Sequence, residues 1–485
     1  MALTYATLRE QIAALQAKKI SAQELLDESL TRIAARDGQI NAVIARDLDG
    51  ARSAAREADR ALSRGERKPL LGVPVSVKES FNVAGLPTTW GSPAARDWRP
   101  TEDAVLVSRL RTAGATVIGK TNVPLFLGDW QAYNEVYGTT NNPFDLGRSP
   151  GGSSGGAAAA LAAGYVALEL GSDIGGSLRV PAHFCGVFAH KPTFALLPSR
   201  GHTPPMMPAL PTELDLAVVG PMARSAADLS LAIELLAGPD DGQAIAYSLK
   251  LPPPRAERLG DFRVLVLDSH PQIPTSTAVR AAIDAIAQGL EKAGAKVARV
   301  SPLLPDLAQV MRSFTTLLMS IFGADIPQSD FDALKQMIAG IPAQVDTLDA
   351  QRGRGLVASH RDWIKADRAR NGFNAQWREL FRTFDVVLCP VTPTPAFPHD
   401  HSADQRTRTL SIDGTQHPYQ DQLTWPSLAT LSGLPATAAP IGRSPEGLPI
   451  GMQIIGPALE DRTTLRFAEL IEEHFGGFTP PPGFA

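Results

Sequence analysis

Two cysteines in 485 residues, Cys185 and Cys389, are too few and too far apart for a disulfide framework, and neither belongs to a CxxC or Cys/His spacing that would bind zinc. Basic charge is not in excess either. The balance of 46 Lys and Arg against 50 Asp and Glu leaves a formal charge of −4, which offers nucleic acid no electrostatic footprint. Long apolar runs are missing: the longest, Ala157 to Leu168, is alanine-rich and too short to span a bilayer, and the first ten residues hold no apolar signal core. The expectation is a cytoplasmic protein, with no membrane and no nucleic acid as partner, acting on a small molecule. What the chain does possess is 44% apolar residues, enough for a large core, and glycine gathered around hydroxyls.

Along the chain, the pattern is α/β. Residues 1–65 read as a helical lead-in, with Ser21 and Glu24 forming a capping box ahead of Leu25, Leu26, Leu30 and Ile33. Gly72 to Lys78 alternates as a strand does, with Lys78 at its end. A helix around Val105 to Ala113 and a strand from Ala115 to Ile118 follow; Phe262 to Leu267, Ala278 to Ala293 and Lys296 to Val300 repeat strand, helix, strand. Residues 198–212, with Met206 and Met207, and 390–420 read as long surface loops. No internal repeat or flexible linker divides the chain, so residues 1–485 are expected to form a single domain.

Two literal motif matches fail on context. Gly114-Ala-Thr-Val-Ile-Gly-Lys-Thr121 fits the phosphate-loop pattern, but its intervening residues read as the strand itself and Pro124 obstructs an immediate helix. Gly151-Gly-Ser153-Ser-Gly155 fits the nucleophile elbow, yet a turn-rich loop precedes it where a hydrophobic strand is required, and His399, His401 and His417 read as solvated loop residues rather than a triad partner. A different constellation stands out. Ser153, Ser154 and Ser177 lie in two glycine-flanked loops joined by an alanine-rich helix, and Asp173-Ile-Gly-Gly offers successive amides as an anion-binding nest before Ser177. One serine there can act as a nucleophile and its neighbours' amides as an oxyanion hole.

Taken in order, Gly-Val-Pro-Val-Ser-Val-Lys78, Gly-Lys-Thr-Asn122, Gly-Gly-Ser153-Ser-Gly-Gly, Gly-Ser-Asp173-Ile-Gly-Gly-Ser177-Leu-Arg179-Val-Pro-Ala, Cys185-Gly and Lys191-Pro-Thr resemble the amidase signature family, and Leu431-Ser-Gly-Leu-Pro-Ala with Gly447 to Gly456 extends the likeness across nearly the whole chain. The resemblance implies a large twisted mixed β-sheet sandwiched by α-helices. It also implies a Ser-Ser-Lys triad, with Ser177 as nucleophile, Ser153 as a bridging serine after a cis Gly152–Ser153 peptide, and Lys78 as base. By the same resemblance, the amides of Ile174, Gly175, Gly176 and Ser177 form the oxyanion hole, and Ser154, Asp173 and Arg179 support the loops; for the last two a purely structural ion pair is an equal reading. A lysine buried beside hydroxyls loses its proton more easily than in water, which suits a base. No metal and no cofactor is implied.

The expected activity is hydrolysis of a carboxylic amide through an acyl-enzyme, with aryl or apolar acyl amides, anilides and the related carbamates (urethanes) as substrates, by a monomer or homodimer. The alternative is the glutaminase subunit of a tRNA-dependent amidotransferase. Thr430 stands where glutamine-using members carry an Asn, and Phe194-Ala-Leu-Leu follows Lys191-Pro-Thr in place of the common Gly-Arg; both count against that role. Phe126, Trp130 and Tyr133, the Met206–Met207 loop, and Phe314, Leu317, Leu318, Ile321 and Phe322 are expected near the acyl pocket, with few charges among them.

Overall fold

A computed structural model describes residues 3–209 and 211–484. Eleven strands form one mixed sheet in the order Val43–Arg46, Thr116–Thr121, Pro74–Lys78, Leu168–Asp173, Val218–Ala223, Phe188–Lys191, Ala436–Arg443, Pro449–Ile455, Val386–Pro390, Arg263–Val266 and Lys296–Ala298. Pro74–Lys78 runs parallel to both its neighbours, and antiparallel pairs fill the middle. Every residue of Pro74–Lys78, Thr116–Thr121, Leu168–Asp173 and Val218–Ala223 is buried, so helices must cover both faces of the sheet. The alternation expected across Gly72 to Lys78 is real in chemistry, but both its faces are inside.

Three expectations need correction. The N-terminal region is not wholly helical: between the helices Ala22–Ile40 and Leu48–Ser63 lies the edge strand Val43–Arg46, which pairs antiparallel with Thr116–Thr121. The capping box at Ser21 and Glu24 is present as expected. The strand expected to stop at Ile118 continues through Gly119, Lys120 and Thr121; the buried Lys120 amine is accommodated there by donating to Pro87 C=O and Thr88 Oγ1, both at 2.6 Å, with the Glu79 carboxyl attracting it. Residues 390–420 are more than loop, for Thr409–Ile412 and Thr415–Pro418 pair as a hairpin about Asp413 and Gly414. Between Lys296–Ala298 and Val386–Pro390 the chain inserts four helices, Leu307–Gly323, Gln328–Ala339, Leu348–Leu356 and His360–Thr383. Among the described residues no helix is long and apolar enough to cross a membrane.

Candidate active site

Parallel pairing sets Lys78, the last residue of its strand, beside the end of Leu168–Asp173. The Ser153 loop precedes the helix Gly155–Ala162, and the Ser177 loop joins Asp173 to the helix Arg179–Cys185. Strand order thus gathers segments that lie 75 and 94 residues apart in sequence. Lys78 Nζ donates to Ser153 Oγ at 2.6 Å and to Ser172 Oγ at 2.9 Å, and all three side chains are buried. The Gly152–Ser153 peptide is cis. Ser154 N–H donates to the Ser177 carbonyl at 3.2 Å, so the two serine loops touch through their backbones.

Burial lowers the Lys78 amine to about 7, against the opposing attraction of Asp173, and leaves a large neutral fraction at physiological pH. Burial likewise pushes Asp173 toward neutrality, but the Arg179 guanidinium outweighs it and holds the carboxyl at about 2. That pair is bidentate, at 3.0 and 2.8 Å, and fully enclosed. Arg179 spends its remaining donors on Pro426 C=O, Gln453 Oε1 and Thr430 Oγ1, at 3.0, 2.9 and 2.8 Å. Thr430 therefore acts on the arginine behind the Ser177 loop and lies among buried groups, rather than where its departure from the glutamine-using pattern would speak directly to substrate.

Asp173 also edits the expected nest. Its Oδ1 accepts the N–H of Gly176 at 2.8 Å and its Oδ2 that of Leu178 at 3.1 Å, which removes the Gly176 amide from the four assigned to an oxyanion. The amides of Ile174, Gly175 and Ser177 make no hydrogen bond among the described residues. Two contributors escaped the sequence reading. Ser172 was signalled only by standing next to Asp173 at a strand end. His202, in the proline-rich loop, stacks edge-on against Phe81 and packs on Trp90; burial, with the Lys78 amine second, depresses it to about 3 and keeps the imidazole neutral.

A cavity of about 650 Å³ has Ser177, Ile174 and Gly175 in its wall. Of the residues expected around an acyl pocket, Trp130, Leu318 and Phe322 line it. Phe314 and Leu317 point into the core instead. Phe126, Met206 and Met207 do not line it and are 56%, 62% and 56% exposed, with Phe126 and Met206 in left-handed backbone at φ of 47° and 66°. Tyr133 stacks on His401, with ring centroids 3.9 Å apart, and does not face the cavity. His399 differs from the solvated expectation, since both its ring nitrogens are buried. The far wall comes from Leu334, Ile338 and Leu356, on helices that sequence alone gave no reason to bring here. The expectation of few charges is also overturned: Arg352, 6% exposed and paired at 3.0 Å with Asp421, borders the cavity.

Residues 24–465 match the model of the family described as Amidase. The chain is 34% identical to a glutamyl-tRNA(Gln) amidotransferase subunit from Anaeromyxobacter sp. (strain K), over 98% of this chain and 97% of the relative. It is 33% identical to the AtzE subunit of the 1-carboxybiuret hydrolase of Pseudomonas sp. (strain ADP), over 96% and 97%. Among solved structures, a bacterial aryl acylamidase of the amidase signature family superposes with a TM-score of 0.80 at 25% identity, covering 97% of this chain and 96% of that one.

Proposed function

The chain belongs to the amidase signature family, whose members hydrolyse C–N bonds of amides, and on that premise we propose that it cleaves amides of apolar acids, aryl amides and anilides foremost, through an acyl-enzyme on Ser177. One observation carries the substrate half of this reading: the cavity at Ser177 is walled by Leu318, Phe322, Leu334, Ile338, Leu356 and Trp130. Its volume suits a small organic acyl group. Burying one such group is worth about 1.5–3 kcal/mol, or roughly ten- to hundred-fold in rate when expressed in the transition state.

In the proposed reaction Ser177 Oγ adds to the carbonyl carbon while its proton passes to Ser153 Oγ, whose own proton goes to the neutral Lys78 amine 2.6 Å away. The amides of Ile174, Gly175 and Ser177 receive the oxyanion. Collapse breaks the C–N bond, and the same relay, run in reverse, delivers the proton to the leaving amine. Water then adds to the acyl carbon as the relay takes its proton; collapse breaks the ester C–O bond, the relay returns that proton to Ser177 Oγ, and the acid leaves. A carbamate would follow the same steps.

A second reading, the glutaminase subunit of a tRNA-linked amidotransferase, is favoured by the relatives of that name and by Arg352 in the cavity wall, which offers a cation to the carboxylate of an amino-acid head group. Comparing kcat/KM for glutamine, an anilide of a simple apolar acid and the matching aryl carbamate decides between them. The anilide is expected to win. Glutamine winning overturns the apolar assignment, and the carbamate winning moves the enzyme toward urethane hydrolysis with the mechanism intact.

A further inference from the structure

Between the two serine loops runs a short segment, Asp129-Trp-Gln131, that touches both. On one side its backbone closes over Gly152, where a Cβ would overlap the Asp129 carbonyl oxygen and the Gln131 backbone. On the other, Trp130 Nε1–H donates to the Gly175 carbonyl at 3.0 Å. That carbonyl belongs to the same peptide unit whose Gly176 N–H is held by Asp173, so the unit is gripped at both ends. Ser149 adds a further tie, donating to the Trp130 carbonyl at 2.9 Å and accepting Gly151 N–H at 3.0 Å.

A buried charge anchors this segment. The Asp129 carboxylate, 7% exposed, accepts from Arg408 Nη1 and from Tyr419 OH, both at 2.6 Å. Arg408 is itself 2% exposed and also donates to Ser402 C=O at 2.9 Å and Tyr133 OH at 2.7 Å. Gln131 and Asp400 close two further bonds, at 2.6 and 3.0 Å. The loop so attached supplies Gln405 and Arg406 to the cavity wall. A dry ion pair of this kind contributes little net stability compared with apolar packing of the same volume. What it does supply is a fixed position for Trp130 and the backbone on either side.

We propose that Asp129 is a positioning residue for acyl transfer: clamped by Arg408 and Tyr419, it holds the 129–131 wedge at the depth that sets the Gly175–Gly176 peptide and the Gly152–Ser153 turn in register with each other. The proposal rests on the acyl-enzyme reading, so labelling of the wild type at Ser177 by a small fluorophosphonate is the first arm of its test. An unlabelled wild type overturns that reading and this proposal with it.

With the wild type labelled, Asp129→Asn and Trp130→Phe are expected to lower the labelling rate constant by about 10- to 100-fold, the range for a sub-ångström to ångström displacement of reacting groups. For Asp129→Asn, KM for an apolar anilide should stay within about two-fold, and in both variants the pH midpoint of the rate should not move, because Lys78 keeps its contacts. The double variant should label no more slowly than the worse single one, since both act through one segment. Wild-type labelling in the single variants, additive losses, or a fall in Asp129→Asn explained wholly by a raised KM overturns the proposal. Should Asp129→Asn not fold, Tyr419→Phe keeps the ion pair and removes one donor; it is expected to slow labelling by about ten-fold with little change in melting temperature, and an unchanged rate there overturns the proposal equally.

Discussion

Burial by itself does not single out Lys78. Lys191 is as deeply enclosed and is lowered to about 7 as well, by burial first and by Arg179 second, but its amine donates only to the carbonyls of Pro192 and Leu434. Lys78 alone of the two faces a serine next to the Ser177 loop. The rate should therefore rise with pH through about 7, as the amine loses its proton, and level off above. Lys78→Ala should remove most activity, while Lys191→Met should leave the midpoint where it is. Ser172 accepts a hydrogen bond that favours the ammonium form, so Ser172→Ala should shift the rising limb to lower pH. Ser177→Ala should abolish both turnover and fluorophosphonate labelling; normal labelling of that variant would falsify the assignment of Ser177.

The helix Leu307–Gly323 shows how one element divides its labour. Phe314 and Leu317 are fully buried in the core, while Leu318 and Phe322, one turn apart, reach the cavity. Leu318→Ala should lower kcat/KM for a bulky apolar anilide by roughly ten-fold and barely affect acetanilide, because only the larger acyl group reaches that wall. Equal losses on both substrates would mean that the helix supports the site without lining the acyl subsite. Phe126 is exposed although its neighbour Leu127, left-handed in backbone like it, lines the cavity, a division that composition does not reveal.

At the scale of the molecule, Arg179 connects the front of the chain to its end. Its contacts with Pro426, Thr430 and Gln453 span 247, 251 and 274 residues, so the helix Thr424–Leu431 and the strand Pro449–Ile455 brace the loop that carries Ser177. Arg179→Met should strip Asp173 of its counter-charge inside the core and cost about 3–5 kcal/mol, measured as a fall in the urea midpoint. Stability should also depend on pH. Between about 7 and about 10 the unfolded chain holds lysine protons that the folded chain has released from Lys78 and Lys191, so these groups make stability rise with pH across that window. A shallower rise in Lys191→Met than in the wild type is the expected result.

The chemistry-bearing pieces were legible in sequence because each is local: a lysine at a strand end, glycine-flanked serines, and Asp173 six residues from Arg179, all carried on short runs whose spacing survives any tertiary arrangement. The α/β alternation was legible for the same reason, since a strand and its following helix are neighbours in the chain. Tertiary structure alone decided the rest. Which of the buried amines meets a serine hydroxyl depends on the strand order that places Pro74–Lys78 beside Leu168–Asp173. That Arg352 and three inserted helices wall the cavity while Met206 and Met207 stay outside depends on where segments more than a hundred residues apart come to rest. Periodicity reports that a side chain is buried; it carries no information about what the side chain is buried against.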